Sequence, residues 1–378
     1  MKKKILCIVP DRLNKPTGGM GVQFMKIYEK LKEEYEFYVL GFPEESLPFE
    51  NYVGVPNIFP IHHAAVVTLY GHALYALKGM NFPKPDIVHS FDWSTYLAGK
   101  LLAEHHDAPL LLTMQLSVRG LEKTGISLVG DDSSPDGSAV QSAHREIETG
   151  VMKMADHIIS VSKSYSDLFE EFKDKTTIIH NGIDLEDWTP RKRVRFPGDN
   201  PTKVVYIGRF AEMKGIRNLM KAEVPDGIDL ILIGSSDGGD NAALSSIQEA
   251  LEKKKKNTYY IGPKYDQEKI DCLFSADAVI IPSIHEPFGI VALEALASEA
   301  VVISTRSDGL SDFLDDSNSI WVDTTPESIE RGYQAVLSLS QEKRYSMVAK
   351  GKETCKEFTW DRSVEKYKNV YQKLINES

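Results

Sequence analysis

From Lys4 to Ser304 the chain repeats one alternation: a short apolar or β-branched run, then a stretch with helical spacing. Lys4–Val9, Glu36–Leu40, Asp86–Ser90, Pro109–Thr113, His157–Val161 and Thr177–His180 read as strands in the first half. Lys203–Ile207, Asp229–Ile233, Tyr259–Ile261, Ala278–Ile281 and Ala300–Ser304 repeat the pattern in the second. Gly21–Glu33 carries Phe24, Ile27, Tyr28 and Leu31 at i, i+3, i+4, i+7, the signature of an amphipathic helix. Ala243–Lys254 and Pro287–Ala297 read as helices between later strands. Strand-then-helix alternation predicts an α/β chain, its parallel sheets covered by helices.

A length of 378 residues calls for two domains rather than one. Thr189–Thr202, with three prolines, a glycine and the basic run Arg191-Lys192-Arg193-Val194-Arg195, marks a linker. The expected domains are therefore 1–188 and 203–359, joined by 189–202. Gly125–Ser142, rich in Gly, Ser and Asp, reads as a long loop. Trp360–Leu374 places Val364, Tyr367, Val370, Tyr371 and Leu374 at helical spacing, which predicts an amphipathic closing helix within 360–378.

Composition excludes several classes. Hydrophobic residues make up 42% and charged residues 26%, which rules out global disorder. No run of about 18 apolar residues exists, so no membrane span is expected. The apolar run after Met1-Lys2-Lys3-Lys4 is too short for a signal peptide and meets Pro10-Asp11-Arg12. Three widely separated cysteines (Cys7, Cys272, Cys355) make neither a disulfide framework nor a cysteine zinc site, so a reducing cytoplasm is the expected compartment. A net charge of −11 opposes broad nucleic-acid binding. The basic run at 191–195 reads as a solvated linker face.

Three segments could carry chemistry. Thr17-Gly18-Gly19-Met20-Gly21 follows the first strand and opens a helix. Glycines there let main chain approach a phosphate at a helix N-terminus, or simply make a tight turn. Gly208-Arg209-Phe210-Ala211-Glu212-Met213-Lys214-Gly215 follows the strand that opens the second half. Its two cations, five residues apart, either clamp a diphosphate or lie solvated in an exposed loop. His285-Glu286-Pro287-Phe288-Gly289-Ile290-Val291-Ala292-Leu293-Glu294 places one carboxylate in a loop and one about a turn into a helix. Such a pair suits sugar hydroxyls, which donate to carboxylates; a helix-dipole Glu plus a surface Glu is the bland alternative.

Together these features resemble the GT-B glycosyltransferases, and more narrowly the retaining family 4 type related to glycogen and starch synthases. The most specific piece is the Glu-x7-Glu pair, Glu286 and Glu294. Gly18-Gly19, His89-Ser90-Phe91-Asp92-Trp93, Asn181-Gly182-Ile183-Asp184, and Gly208-Arg209-Phe210 with Lys214-Gly215 support it by order and spacing. The resemblance implies two Rossmann-like α/β/α domains facing each other across a cleft: an acceptor domain at 1–188 and a donor domain at 203–359. It implies that the tail helix, 360–378, crosses back onto the first domain. It implies transfer of a hexose, with UDP-glucose the first expectation and GDP- and ADP-sugars open, to a glycan, a lipid-linked sugar or another acceptor. Arg209 and Lys214 would neutralise the donor diphosphate, with Glu286 holding the transferred sugar. Glu294 would hold the ribose. Gly18, Gly19, Gly234, Phe288, Gly289 and Ile290 would also line the donor. His89, Gln115 and Asn181 would lie on the acceptor side. No cofactor and no metal are implied, and no Asp-x-Asp triplet occurs; the adjacent pairs His62-His63 and His105-His106 read as surface or packing residues.

The sequence departs from the family in two places. Thr113-Met114-Gln115 stands where many relatives have a Thr-x-His pattern, and Gln115 cannot shuttle a proton. Pro16-Thr17 stands where glycogen and starch synthases carry a lysine before the paired glycines, with Lys15 slightly earlier. A GT-B epimerase, phosphorylase or non-catalytic sugar-binding protein is the alternative within the fold. Outside it, Gly234-Ser235-Ser236-Asp237-Gly238 matches the G-x-S-x-G elbow of a serine hydrolase, but a polar, loop-like segment follows where a helix should.

Overall fold

A computed structural model describes residues 1–11, 13–14, 18–44, 47–55, 64–126, 135–235, 247, 249 and 256–377, without the side chains of 64–70, 72 and 135–140. The chain divides into two compact units, Met1–His180 with Asp361–Ser378, and Asn181–Trp360.

The first unit is built on a seven-stranded parallel sheet. Its strands are β1 (Lys3–Ile8), β2 (Tyr35–Gly41), β3 (Tyr52–Gly54), β4 (Ile87–Phe91), β5 (Leu110–Met114), β6 (His157–Ser160) and β7 (Thr176–Ile178). They lie in the order β3-β2-β1-β4-β5-β6-β7. In register, Ile5 sits beside Phe37 on one side and Ile87 on the other. Because Ile5–Val9 is an unbroken apolar run, it feeds two cores. Ile5, Cys7 and Val9 pack on one face with Phe24 and Ile27 of α1 (Gly19–Leu31). Leu6 and Ile8 pack on the other with Tyr96, Ala98 and Leu102 of a helix at Tyr96–His106.

The closing helix, Trp360–Glu377, completes the first of these cores. Val364, Tyr367, Val370, Tyr371 and Leu374 all join the buried cluster that holds Ile5, Cys7 and Phe37. The most C-terminal helix is thus packed on the most N-terminal strand.

The second unit has a six-stranded parallel sheet: β8 (Thr202–Ile207), β9 (Ile228–Ile233), β10 (Thr258–Tyr260), β11 (Ala278–Ile281), β12 (Val301–Thr305) and β13 (Ser319–Val322). The order is β10-β9-β8-β11-β12-β13. Residues 181–202 are tied into this unit. The amides of Arg191 and Val194 donate to Asp271 Oδ1 and Ser275 Oγ, both at 2.8 Å. Phe196 is buried, and Asp229 accepts from Asn200 and Lys203.

The chain has the GT-B fold, two parallel-sheet α/β units. Two local expectations need correction. Gly125–Ser142 is not one long loop: residues 127–134 lie outside the described residues, but a helix runs from Pro135 to Met154. Its polar start hides it, yet Ile147, Val151 and Met152 downstream pack into the core of the first unit and sustain it. Proline at the first helical position costs no hydrogen bond. The helix expected from Pro287 begins only at Ile290, because Gly289 has φ 102°. Strands β3 and β13, at the sheet edges, had no clear pattern. The Ala243–Lys254 helix and the Ser236-Asp237-Gly238 part of the elbow fall outside the described residues, apart from Ile247 and Glu249, which are helical.

Candidate functional site

In each sheet the strand order reverses at one point, between β1 and β4 and between β8 and β11. Loops leaving the carboxyl ends of such strands diverge and open a crevice, where ligands of open α/β sheets bind. In the second unit the two loops are Gly208–Gly215 after β8 and Pro282–Gly289 after β11. These carry the two cations and Glu286, and Glu294 lies in the helix that follows the second loop.

The first loop is held down at both ends. The Gly208 amide donates to Ile233 O at 3.1 Å, the Phe210 amide to Ser235 O at 2.8 Å, and Tyr206 Oη to Arg209 O at 2.8 Å. Phe210 is buried, so the neighbouring Arg209 is carried on an anchored stretch. Its guanidinium, half-buried, makes no hydrogen bond or ion pair among the described residues. At the far end Gly215 has φ 68°, and a Cβ there would stand 1.9 Å from Pro282 O. Only glycine lets this loop press against the β11 loop. Gly234 plays the same part at the end of β9: with φ 152°, its Cβ would lie 1.9 Å from Gly208 O.

The two loops are then bonded to each other. The amides of Ile284 and His285 both donate to Met213 O, at 2.9 and 3.1 Å. Lys214 Nζ donates to Glu286 Oε2 at 2.6 Å, and Ser283 Oγ reaches the same oxygen at 3.2 Å. Glu286 is 9% exposed. Its main chain is fixed by Asp308, whose Oδ2 accepts the Glu286 amide at 3.2 Å, and by the Gly309 amide, which donates to Glu286 O at 3.0 Å. His285 Nδ1 lies 2.7 Å from the same Asp308 oxygen.

Phe288 is buried against Phe313 and Phe358, with ring centroids 5.1 and 6.2 Å away. Gly289 then caps the helix at Ile290–Ala297 with no side-chain hydrogen bond, and Ile290 opens its first turn. Glu294, one turn further, is 5% exposed. Its Oε1 accepts from Lys269, while Oε2 is buried with no hydrogen-bond partner among the described residues. A buried carboxylate oxygen without a donor is costly, so its vacancy points to a ligand that donates. The loop ends of β8 and β11 and the helix after β11 thus carry a guanidinium unpaired among the described residues, a lysine–glutamate pair and a carboxylate with one oxygen unpaired among those residues.

The first unit places its assigned residues differently. Gly18 is the N-cap of α1 and makes no side-chain cap bond; one turn in, the Gly21 amide donates to Asp11 Oδ2 at 2.8 Å. Gly19 is the first helical residue, while Lys15, Pro16 and Thr17 lie outside the described residues, as do His62 and His63. His89, expected on the acceptor side, is a packed residue. It has no exposure, and its Nδ1 and Nε2 pair with Tyr371 Oη at 2.8 Å and Thr113 Oγ1 at 2.7 Å. Burial pushes its pKa down to about 3. Gln115, nearly buried, donates through Nε2 to Gln23 Oε1. Asn181 is buried in the second unit.

Sequence reasoning missed Ser283, Asp308 and Lys269, which hold the two glutamates, and Glu148 in the first unit. Glu148 Oε1 accepts the Val118 amide at 3.0 Å, at the start of the helix Val118–Thr124, and burial raises its pKa to about 8. Among the described residues no three His, Cys, Asp or Glu side chains gather into a metal-holding group, and no helix is long and apolar enough to cross a membrane.

Comparison with known proteins bears on this geometry. The family model Glycosyltransferase Family 4 matches residues 17–187, and Glycosyl transferases group 1 matches residues 189–354. An uncharacterised glycosyltransferase of Methanocaldococcus jannaschii is 26% identical, over 94% of this chain and 94% of its own. Among solved structures, sucrose-phosphate synthase from Thermosynechococcus elongatus superimposes with a TM-score of 0.84 at 20% identity, covering 100% of both chains. HepE of Anabaena, crystallised with UDP and glucose, gives 0.76 at 14% identity, covering 98% of this chain and 99% of its own.

Proposed function

Because the chain belongs to the GT-B glycosyltransferases of the family 4 type, we propose that it moves a hexose from a nucleoside diphosphate sugar to an acceptor with retention of anomeric configuration. UDP-glucose is the proposed donor. The presence of UDP and glucose in the structurally similar HepE supports that choice; GDP- and ADP-sugars are the competitors to test. The acceptor is a hydroxyl of a glycan, a lipid-linked sugar or a smaller molecule. The proposed compartment is the cytoplasm.

The observation that carries this reading is the grouping at the carboxyl ends of β8 and β11. Among the described residues the Arg209 guanidinium is unengaged, Lys214 is paired with Glu286, and Glu294 keeps one buried oxygen open. Arg209 and Lys214 neutralise the diphosphate as it departs, the electrostatic work that a divalent ion does in metal-dependent transferases. Metal independence is part of the proposal for that reason. Glu294 Oε2 accepts from the ribose. Glu286 accepts from hydroxyls of the transferred sugar and is not a covalent nucleophile. Gly234, Phe288, Gly289 and Ile290 contribute main chain to the donor pocket, and Gly18 and Gly19, at the start of α1, are proposed to offer their amides to phosphate.

Bond changes balance without a cofactor. The anomeric C–O bond to the diphosphate breaks, and the acceptor oxygen bonds that carbon from the same face. The acceptor's proton leaves with the diphosphate. Gln115 and Asn181 are proposed to face the acceptor; His89, with both nitrogens engaged, is given no part. Calorimetry tests the phosphate clamp. Arg209→Ala combined with Lys214→Ala should abolish measurable UDP binding, and unchanged affinity would place the clamp elsewhere.

A further inference from the structure

Glu294 is supported by side chains that the transfer reaction does not itself call for. Lys269, on the helix Asp266–Phe274, donates to Glu294 Oε1. From the other side its ammonium lies 5.5 Å from the centroid of the Trp188 ring. That ring is itself pinned, with Trp188 Nε1 donating to Ser298 Oγ at 2.8 Å. Ser298 follows Glu294 by one helical turn, and its amide donates to Glu294 O at 3.0 Å. The contacts therefore close a circuit: Glu294, Lys269, Trp188, Ser298 and back along the helix. The helix bearing Lys269 is braced by the same segment as Trp188, since Gln267 Nε2 donates to Thr189 O at 3.0 Å.

We propose that Lys269, backed by Trp188, is a positioning residue for nucleotide recognition: it holds the Glu294 carboxylate turned so that Oε2 meets the ribose hydroxyls of a nucleoside diphosphate. This rests on the reading that Glu294 receives the ribose. The Lys269 ammonium supplies the charged partner that a buried carboxylate needs, and it does so on one oxygen only. The terminal torsion of a glutamate is also broad and two-fold, so a donor fixed on one oxygen sets the plane of the other. The indole face keeps the ammonium from swinging out to solvent, as cation–π contacts do. Lys269 is 27% exposed at its side chain and Glu294 7%, so the pair is shielded enough for the charge to matter.

The test compares hydroxyl recognition, not affinity alone. UDP, GDP and ADP are each paired with the 2′,3′-dideoxy form, and the pair with the tightest ribonucleotide is followed by calorimetry. Wild-type protein should prefer the ribonucleotide by about tenfold or more, the yield of hydrogen bonds to a charged group. Lys269→Met, which keeps the stem and removes the charge, should shrink that preference by about fivefold or more. Lys269→Arg should restore most of it. A merely structural role would weaken both probes together and leave the ratio alone. If Lys269→Met keeps the wild-type ratio while Glu294→Gln collapses it, the positioning role is wrong and the ribose reading stands. If Glu294→Gln also keeps the ratio, the ribose reading fails and takes this proposal with it.

Discussion

Glu286→Gln should make the protein hold nucleotide more tightly while it transfers less. In the unliganded site Lys214 is not waiting for phosphate; it is bound to Glu286 at 2.6 Å. Two unit charges at that distance attract by about 6 kcal/mol at an effective dielectric of about 20. Desolvation cancels most of this, and a hydrogen bond to a charged group nets about 1.5–3 kcal/mol. A diphosphate must compete with that pair for the ammonium. Glutamine keeps the shape and an acceptor for Ser283 but removes the competing charge. UDP affinity should then rise severalfold, with about tenfold corresponding to release of the lower figure at 1.4 kcal/mol per decade. Turnover should fall by about a hundredfold or more, because the sugar loses its charged acceptor. Lys214→Met should weaken UDP by about tenfold, and adding Glu286→Gln to it should recover nothing. Calorimetry on the four proteins closes a double-mutant cycle. Weaker UDP binding in Glu286→Gln, or a cycle without coupling, would refute the competition.

Two further outcomes follow from the same geometry. His89 is held neutral in the fold, with its pKa pushed down to about 3 by burial, whereas the unfolded chain protonates it near 6.5. Its stabilising share is therefore complete above pH 6.5 and drains at about 1.4 kcal/mol per unit as pH falls from there toward 3. Hydrogen exchange of β1 peptides at pH 7.5 and 5.0 should show about 2 kcal/mol less protection at the lower pH in wild type, beyond the pH dependence of His89→Gln; identical dependence in both would contradict the assignment. Gly215→Ala should destabilise the second unit by about 2 kcal/mol or more. The left-handed conformation costs about 1–2 kcal/mol for an L-residue, and a Cβ 1.9 Å from Pro282 O forces the loops apart. Urea denaturation reads the loss, and UDP affinity should drop with it because Lys214 moves.

Some of this molecule was legible before folding and some was not, for physical reasons. Lys4–Val9 could be read as a strand buried on both faces because every residue from Ile5 to Val9 is apolar, and alternate residues do feed opposite cores. The edge strands Tyr52–Gly54 and Ser319–Val322 are three and four residues long and carry little period-2 signal. At Pro135 the local composition argued for loop, while packing twelve residues later decided for helix. The glutamates announced themselves because Glu286 and Glu294 share one loop and one helix. Their supports did not. Lys269 is 25 residues before Glu294, and Asp308 is 22 after Glu286. Such partners are chosen by sheet order, which brings the ends of β11 and β12 side by side, and no local pattern encodes that. His89 shows the converse: the resemblance set it on the acceptor side, and inside β4 two hydroxyl partners make it a core residue instead.

The most direct test of the account follows UDP-glucose by proton NMR in the presence of the protein, against GDP- and ADP-sugars and against Glu286→Gln. The account predicts slow release of UDP with water as acceptor, the first glucose formed being α, and loss of that release in the variant. Glucose released first as the β anomer, or equal release by Glu286→Gln, would contradict a retaining transfer centred on the β8 and β11 loops.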